Sequence, residues 1–218
     1  MTSRAGENAE ALKTPRAAGV AGVLFSVLFL TALALLLGFS ESRSLEPADW
    51  VDSEGWKVRV ALNLVPFSGI AFLWFVGVLR DRLGAREDRL FATVFLGSGL
   101  LFVALLFVSA SVVGALLLGA TANTPMEGTD TSTMRLVRQL AYNLAGVYAL
   151  KMAAVFMLTA STLILRTRFT RRWVAFIGYG GAAVILLGSQ WLDWTMLLFP
   201  LWVLAVSASI LADEFARP

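Results

Sequence analysis

The groups able to do chemistry are few, and most of them lie in one stretch, "NLAGVYALKMAAVFML", running from Asn143 to Leu158. Lys151 places an ammonium among apolar residues there, with Tyr148 one helical turn earlier and Asn143 about two turns earlier. A second group, Asn63 and Ser68, flanks Pro66 inside another apolar run. An ammonium that loses both water and a counter-ion is driven toward the neutral amine, which exchanges a proton, or it takes up an anion. These five residues are therefore the candidates for proton or ligand binding. The bland alternative is a lysine solvated by carbonyls and trapped water that tightens a helix bundle.

Other chemistry is excluded by composition. The chain has no cysteine and no histidine, which removes thiol nucleophiles, disulfides, thiolate or imidazole metal ligands and imidazole acid–base catalysis. The 15 acids fall in tails, loops or the ends of apolar runs, so no carboxylate pair shares the depth of Lys151. No serine or threonine stands beside a plausible base. "GYGG", Gly178 to Gly181, sits inside a helix-length apolar run and lacks the lysine of a phosphate loop. The expectation is a protein without catalytic apparatus, metal or cofactor. A lone lysine in a helix bundle resembles the Schiff-base proteins that bind retinal in that one residue only, because no intramembrane acid is available as counter-ion.

The elements that must carry these residues follow from hydropathy. In 218 residues, 58% are hydrophobic and 15% charged, far from the balance of a soluble domain. Six runs are long enough to cross a bilayer: about 18–38, 58–79, 90–120, 136–165, 173–190 and 195–212. The reading is an all-α integral membrane protein, a six-helix transmembrane bundle over 18–212. A mobile tail over 1–17 precedes it and a short tail over 213–218 follows. Phe39-Ser40-Glu41 is a poor cleavage site, so the first run is read as a retained anchor.

Orientation follows from arginine and lysine placement. With the amino terminus cytoplasmic, the inner segments hold Arg4, Lys13, Arg16, Arg80, Arg82, Arg86, Arg89, Arg166, Arg168, Arg171, Arg172 and Arg217. The outer segments hold only Arg43, Lys57, Arg59, Arg135 and Arg138. The positive-inside rule then puts both termini in the cytoplasm. Fifteen arginines against three lysines resemble the usage of high-GC bacterial membrane proteins, so a plasma membrane is expected. The arginines form short clusters between apolar runs and no long basic tract, which excludes nucleic acid as a partner.

In lipid, helices associate through small residues that let backbones approach. Ala18, Gly22 and Ser26 recur every fourth position, as do Ala141, Ala145, Ala149 and Ala153, and Gly178 with Ala182. These stripes are expected to pack helices within the chain, with a protein partner or a second copy as the other use. Pro66 and Pro200 each remove a backbone donor inside a run and are expected to kink it. The outer segment "SESRSLEPADWVDSEGWK" is read as a solvated acidic loop with a short interfacial helix resting on Trp50 and Pro47 in its first turn. "VRVALNL" and "VRQLAYNL" echo each other about eighty residues apart, the second with one residue more.

Lys151 sits at the midpoint of its run, and an insertion penalty of roughly 2.5 to 3.5 kcal/mol is expected there. Eight Leu, Val or Phe between Leu140 and Leu163 offset roughly 2.4 to 4.8 kcal/mol of it, so this helix depends on its neighbours. The alanine stripe falls nearly opposite the lysine. Two functions fit: an accessory, assembly or partner-binding membrane protein, or a small transporter or channel-like module for a proton or small anion centred on Lys151.

Overall fold

A computed structural model describes residues 14–41, 47–83, 89–121, 131–167, 170–192 and 194–215. Most of the amino-terminal tail, residues 42–46 with Arg43 and Glu46, the cluster over 84–88, residues 122–130, Arg168 and Phe169, Asp193 and the last three residues lie outside it. The described chain is all helix apart from short turns: α1 (Thr14–Glu41), α2 (Pro47–Leu83), α3 (Arg89–Thr121), α4 (Thr131–Tyr142), a π-helical stretch (Asn143–Ala149), α5 (Leu150–Thr167), α6 (Arg172–Gly188) and α7 (Thr195–Phe215). No residue separates α4, the π stretch and α5, which form one rod over 131–167. Every apolar run of the sequence lies inside one of these helices except 173–190, which ends two residues past α6.

Among the described residues, five helices are long and apolar enough to cross a membrane, with spans at Ala17–Leu36, Gly55–Arg80, Leu90–Leu118, Arg135–Thr167 and Thr195–Asp213. The sixth apolar helix, α6, has 17 residues and reaches about 25 Å, a little short of a hydrocarbon core of about 30 Å. By contrast α2 has 37 residues, a length of about 55 Å. Pro47 does open a helix, but that helix runs unbroken to Leu83. A proline suits the first turn because its missing N–H would have no partner there. Nothing between Ala48 and Lys57 then stops the helix except Gly55, whose cost is about 1 kcal/mol.

Each helix packs on the next around a ring, and α7 closes it against α1. Small residues make these contacts. A Cβ on Gly22 would run into the Ser207 hydroxyl and Phe75, and one on Gly178 into the Ser161 hydroxyl and Trp202. The Ser26 hydroxyl donates between the carbonyls of Gly22, at 2.8 Å, and Pro200, at 2.9 Å, so it ties α1 to α7 beside the proline. Trp202 Nε1 donates to the Val174 carbonyl at 3.0 Å, and the Thr170 and Ser209 hydroxyls pair at 2.7 Å. Away from water such bonds have no solvent competitor, so each fixes the register of its helix pair.

The middle of the ring is filled by phenylalanine. Phe25, Phe72, Phe95, Phe102, Phe156 and Phe199 come from five helices, and none is more than 2% exposed. Phe72 alone meets Phe25, Phe102, Phe156 and Phe199 at centroid distances of 4.9, 5.3, 5.1 and 5.5 Å. Most of these pairs are tilted or edge-to-face, the geometry favoured by the ring quadrupole. Lipid tails are as apolar as the rings, so this centre is held by close contact and not by escape from water.

Candidate functional site

The fourth rod positions most of the candidate residues, and it is irregular where they sit. Between Asn143 and Ala149 the backbone widens to π geometry, and the Leu150 N–H donates to the Ala145 carbonyl five residues back. Such turns are rare and are found mostly as single turns in helices, frequently at functional sites. Two features hold this one. The buried Ser109 hydroxyl of α3 donates to the Ala141 carbonyl just upstream at 2.7 Å. Gly146 lies against α7, where a Cβ would come within 2.6 Å of the Met196 methyl group.

The structure separates the candidates. The alanine side of the rod is inside, with Ala141, Ala149 and Ala153 at most 4% exposed. Tyr148, one turn from Lys151, is 59% exposed, and Lys151 itself is half-buried on the same outward side. Among the described residues none makes a hydrogen bond, ion pair or ring contact with Lys151. Asn143 is half-buried and receives a long contact of 3.5 Å from Gln139 Nε2. On α2, Asn63 faces outward and donates to the Arg59 carbonyl of its own helix at 2.8 Å. The buried Ser68 hydroxyl donates to the Val65 carbonyl at 2.8 Å, so it serves the backbone beside Pro66. Trp74 of α2 is 69% exposed and makes no ring contact with the lysine. The candidates on α2 and those on the fourth rod do not converge.

The depth of Lys151 follows from the α5–α6 hairpin. Thr162 and Tyr179 share a hydrogen bond of 2.7 Å, and Gly181 faces the Met157 methyl group. Stepping back along α5 from these contacts while stepping forward along α6 brings Lys151 level with 187–190. That is the end of α6, where its last carbonyls carry the negative pole of the helix and attract a cation. The lysine is midway along its own rod but level with the end of its short neighbour. Trp191 and Trp194 of the adjoining turn are 83% and 52% exposed, as interfacial tryptophans are.

Sequence reasoning missed the π stretch and the level at which Lys151 meets α6. Among the described residues no group of three or more His, Cys, Asp or Glu side chains converges as a metal site would require.

Fold and site together define a multi-pass helical membrane protein with a solid aromatic centre and a lysine on its outer side. Comparison of the chain with protein-family models, with curated proteins and with solved structures finds no match.

Proposed function

We propose that this chain is an accessory or assembly protein of the plasma membrane. In this reading it crosses the bilayer six times with both termini in the cytoplasm, has no catalytic apparatus, and acts by holding a protein partner. The observation that supports this reading is the filled centre. A transporter places its solute site near the bilayer midplane between helices, and here six phenylalanines with at most 2% exposure occupy the middle of the ring. The small-residue stripes are already used inside the chain. Docking then falls to outward positions such as Gly77 and Gly180, where a Cβ would meet nothing within 4 Å. Gly180 is flanked on α6 by Phe176 and Ile177, 64% and 51% exposed.

A pull-down of tagged protein from native membranes with mass spectrometry tests this. A membrane protein should co-purify with the wild type and be lost from Gly180→Leu or Gly77→Leu. The second reading, proton or small-anion transport at Lys151, is favoured by the unpartnered ammonium beside a π turn. It requires flux in proteoliposomes that Lys151→Met abolishes while the protein stays folded. Such flux, with no partner captured, would replace the first reading with the second.

A further inference from the structure

A cleft of about 240 Å³ opens between the start of α6 and the last turns of α7, lined by Arg171, Trp173, Ala205, Ala208, Ser209 and Ala212. We propose that it binds one anionic phospholipid, with the phosphate on Arg171 and part of an acyl chain on the alanine floor. The site is independent of Lys151 and of any protein partner.

The two ends of the cleft have different chemistry. Its floor is one face of α7, since positions 205, 208, 209 and 212 recur at helical spacing. Three of them are alanines, which leaves a shallow channel beside the Trp173 ring, itself 48% exposed. Ser209 adds no free donor, because its hydroxyl already serves the Val206 carbonyl at 2.7 Å and Thr170 at 2.7 Å. The floor therefore suits hydrocarbon.

The mouth is cationic. The Arg171 side chain is 59% exposed, and Arg172 beside it is exposed as well. Arg171 Nε reaches Asp213 at 3.4 Å, a long surface pair that leaves most of the guanidinium fork open. A guanidinium matches a phosphate with two parallel hydrogen bonds. No side chain caps the first amides of α6, so they add to the positive potential there. At 240 Å³ the cleft is smaller than the roughly 300–1,000 Å³ that enclose a whole small ligand, so it fits a molecule most of which stays in the bilayer. A tryptophan beside arginines is also the side-chain pair expected at headgroup level. An amphiphile with a phosphate at one end satisfies all of these features.

The test uses the full-length protein, released from nanodiscs holding equal phosphatidylglycerol and phosphatidylcholine, with bound lipid read by native mass spectrometry. The wild type should retain phosphatidylglycerol over phosphatidylcholine by about tenfold, and Arg171→Gln should erase most of that preference. Asp213→Asn, which frees the guanidinium, should raise the preference, and Ala208→Leu should reduce binding of both lipids by filling the floor. Equal retention of the two lipids by wild type, or a preference unchanged in Arg171→Gln, would overturn the proposal. Displacement of the lipid by excess inorganic phosphate would overturn it too, since that would mark a site for a free anion. Should Arg171→Gln fail to fold, fluorescence decides. Brominated phosphatidylglycerol should quench wild type more than Trp173→Phe while brominated phosphatidylcholine does not, and equal quenching by the two lipids sinks the idea.

Discussion

The centre of the bundle and the outward side of the fourth rod are built on opposite terms. In the centre, side chains from five helices meet and almost every atom has a neighbour, as Phe72 shows with its four partner rings from other helices. On the outward side, Tyr148 is exposed, and Lys151 and Asn143 are half-buried on or beside a π turn. Asn143 has one long side-chain contact there, to Gln139, and Lys151 has no hydrogen bond or ion pair among the described residues. Stability should therefore be concentrated in the phenylalanines. A membrane protein can carry a costly polar residue in this way because the packing that keeps the helices together lies elsewhere.

That contrast can be broken at its strong end first. Phe72→Ala should cost about 3 to 5 kcal/mol, measured by reversible unfolding in mixed micelles, since a cavity would open where five helices meet. A loss below about 1 kcal/mol would mean that the centre is loosely packed. Gly178→Leu should be next, at about 1 to 3 kcal/mol, because its Cβ would overlap the Ser161 hydroxyl and the Trp202 ring. The same assay on Gly180→Leu should show almost no change, because that glycine faces open space.

Ser109→Ala addresses the boundary between the regions. It removes the buried bond to the Ala141 carbonyl and should cost about 1 kcal/mol. Amide hydrogen exchange should rise most over 141–149, and an even rise along the whole rod would show that Ser109 does not hold the π stretch. The smallest effect is expected from Lys151→Met, below about 1 kcal/mol in either direction, since the ammonium loses no hydrogen bond or ion pair within the described chain. A loss of several kcal/mol would place the lysine inside the packing and erase the distinction between the regions.

Much of the architecture was legible in advance. Long apolar runs demand helices in lipid, because an unpaired backbone group has no water to turn to, and each run is helical but for the last two residues of 173–190. Of the alanine stripe over 141–153, Ala141, Ala149 and Ala153 are buried and Ala145, inside the π stretch, is half-buried, and the small side chains allow close approach. The candidate site was legible only as a set of residue types. Asn63 and Lys151 are suspicious for the same chemical reason, yet they lie on helices that do not bring them together. The interfacial helix beginning at Pro47 merges into α2, because helix propagation past Gly55 costs little once a long apolar segment follows.

Residue identity by itself determined the solvent of this chain, its helical class and the absence of thiol and imidazole chemistry, since these depend on summed hydropathy and on which functional groups exist. Only the tertiary structure decided what each group meets. Phenylalanines scattered over five helices became one centre, the rod widened to a π turn against Ser109 and Met196, and Lys151 came level with the end of α6 although it is midway along its own rod. Depth and contact depend on how helices of unequal length are set side by side, and no local run of sequence carries that information.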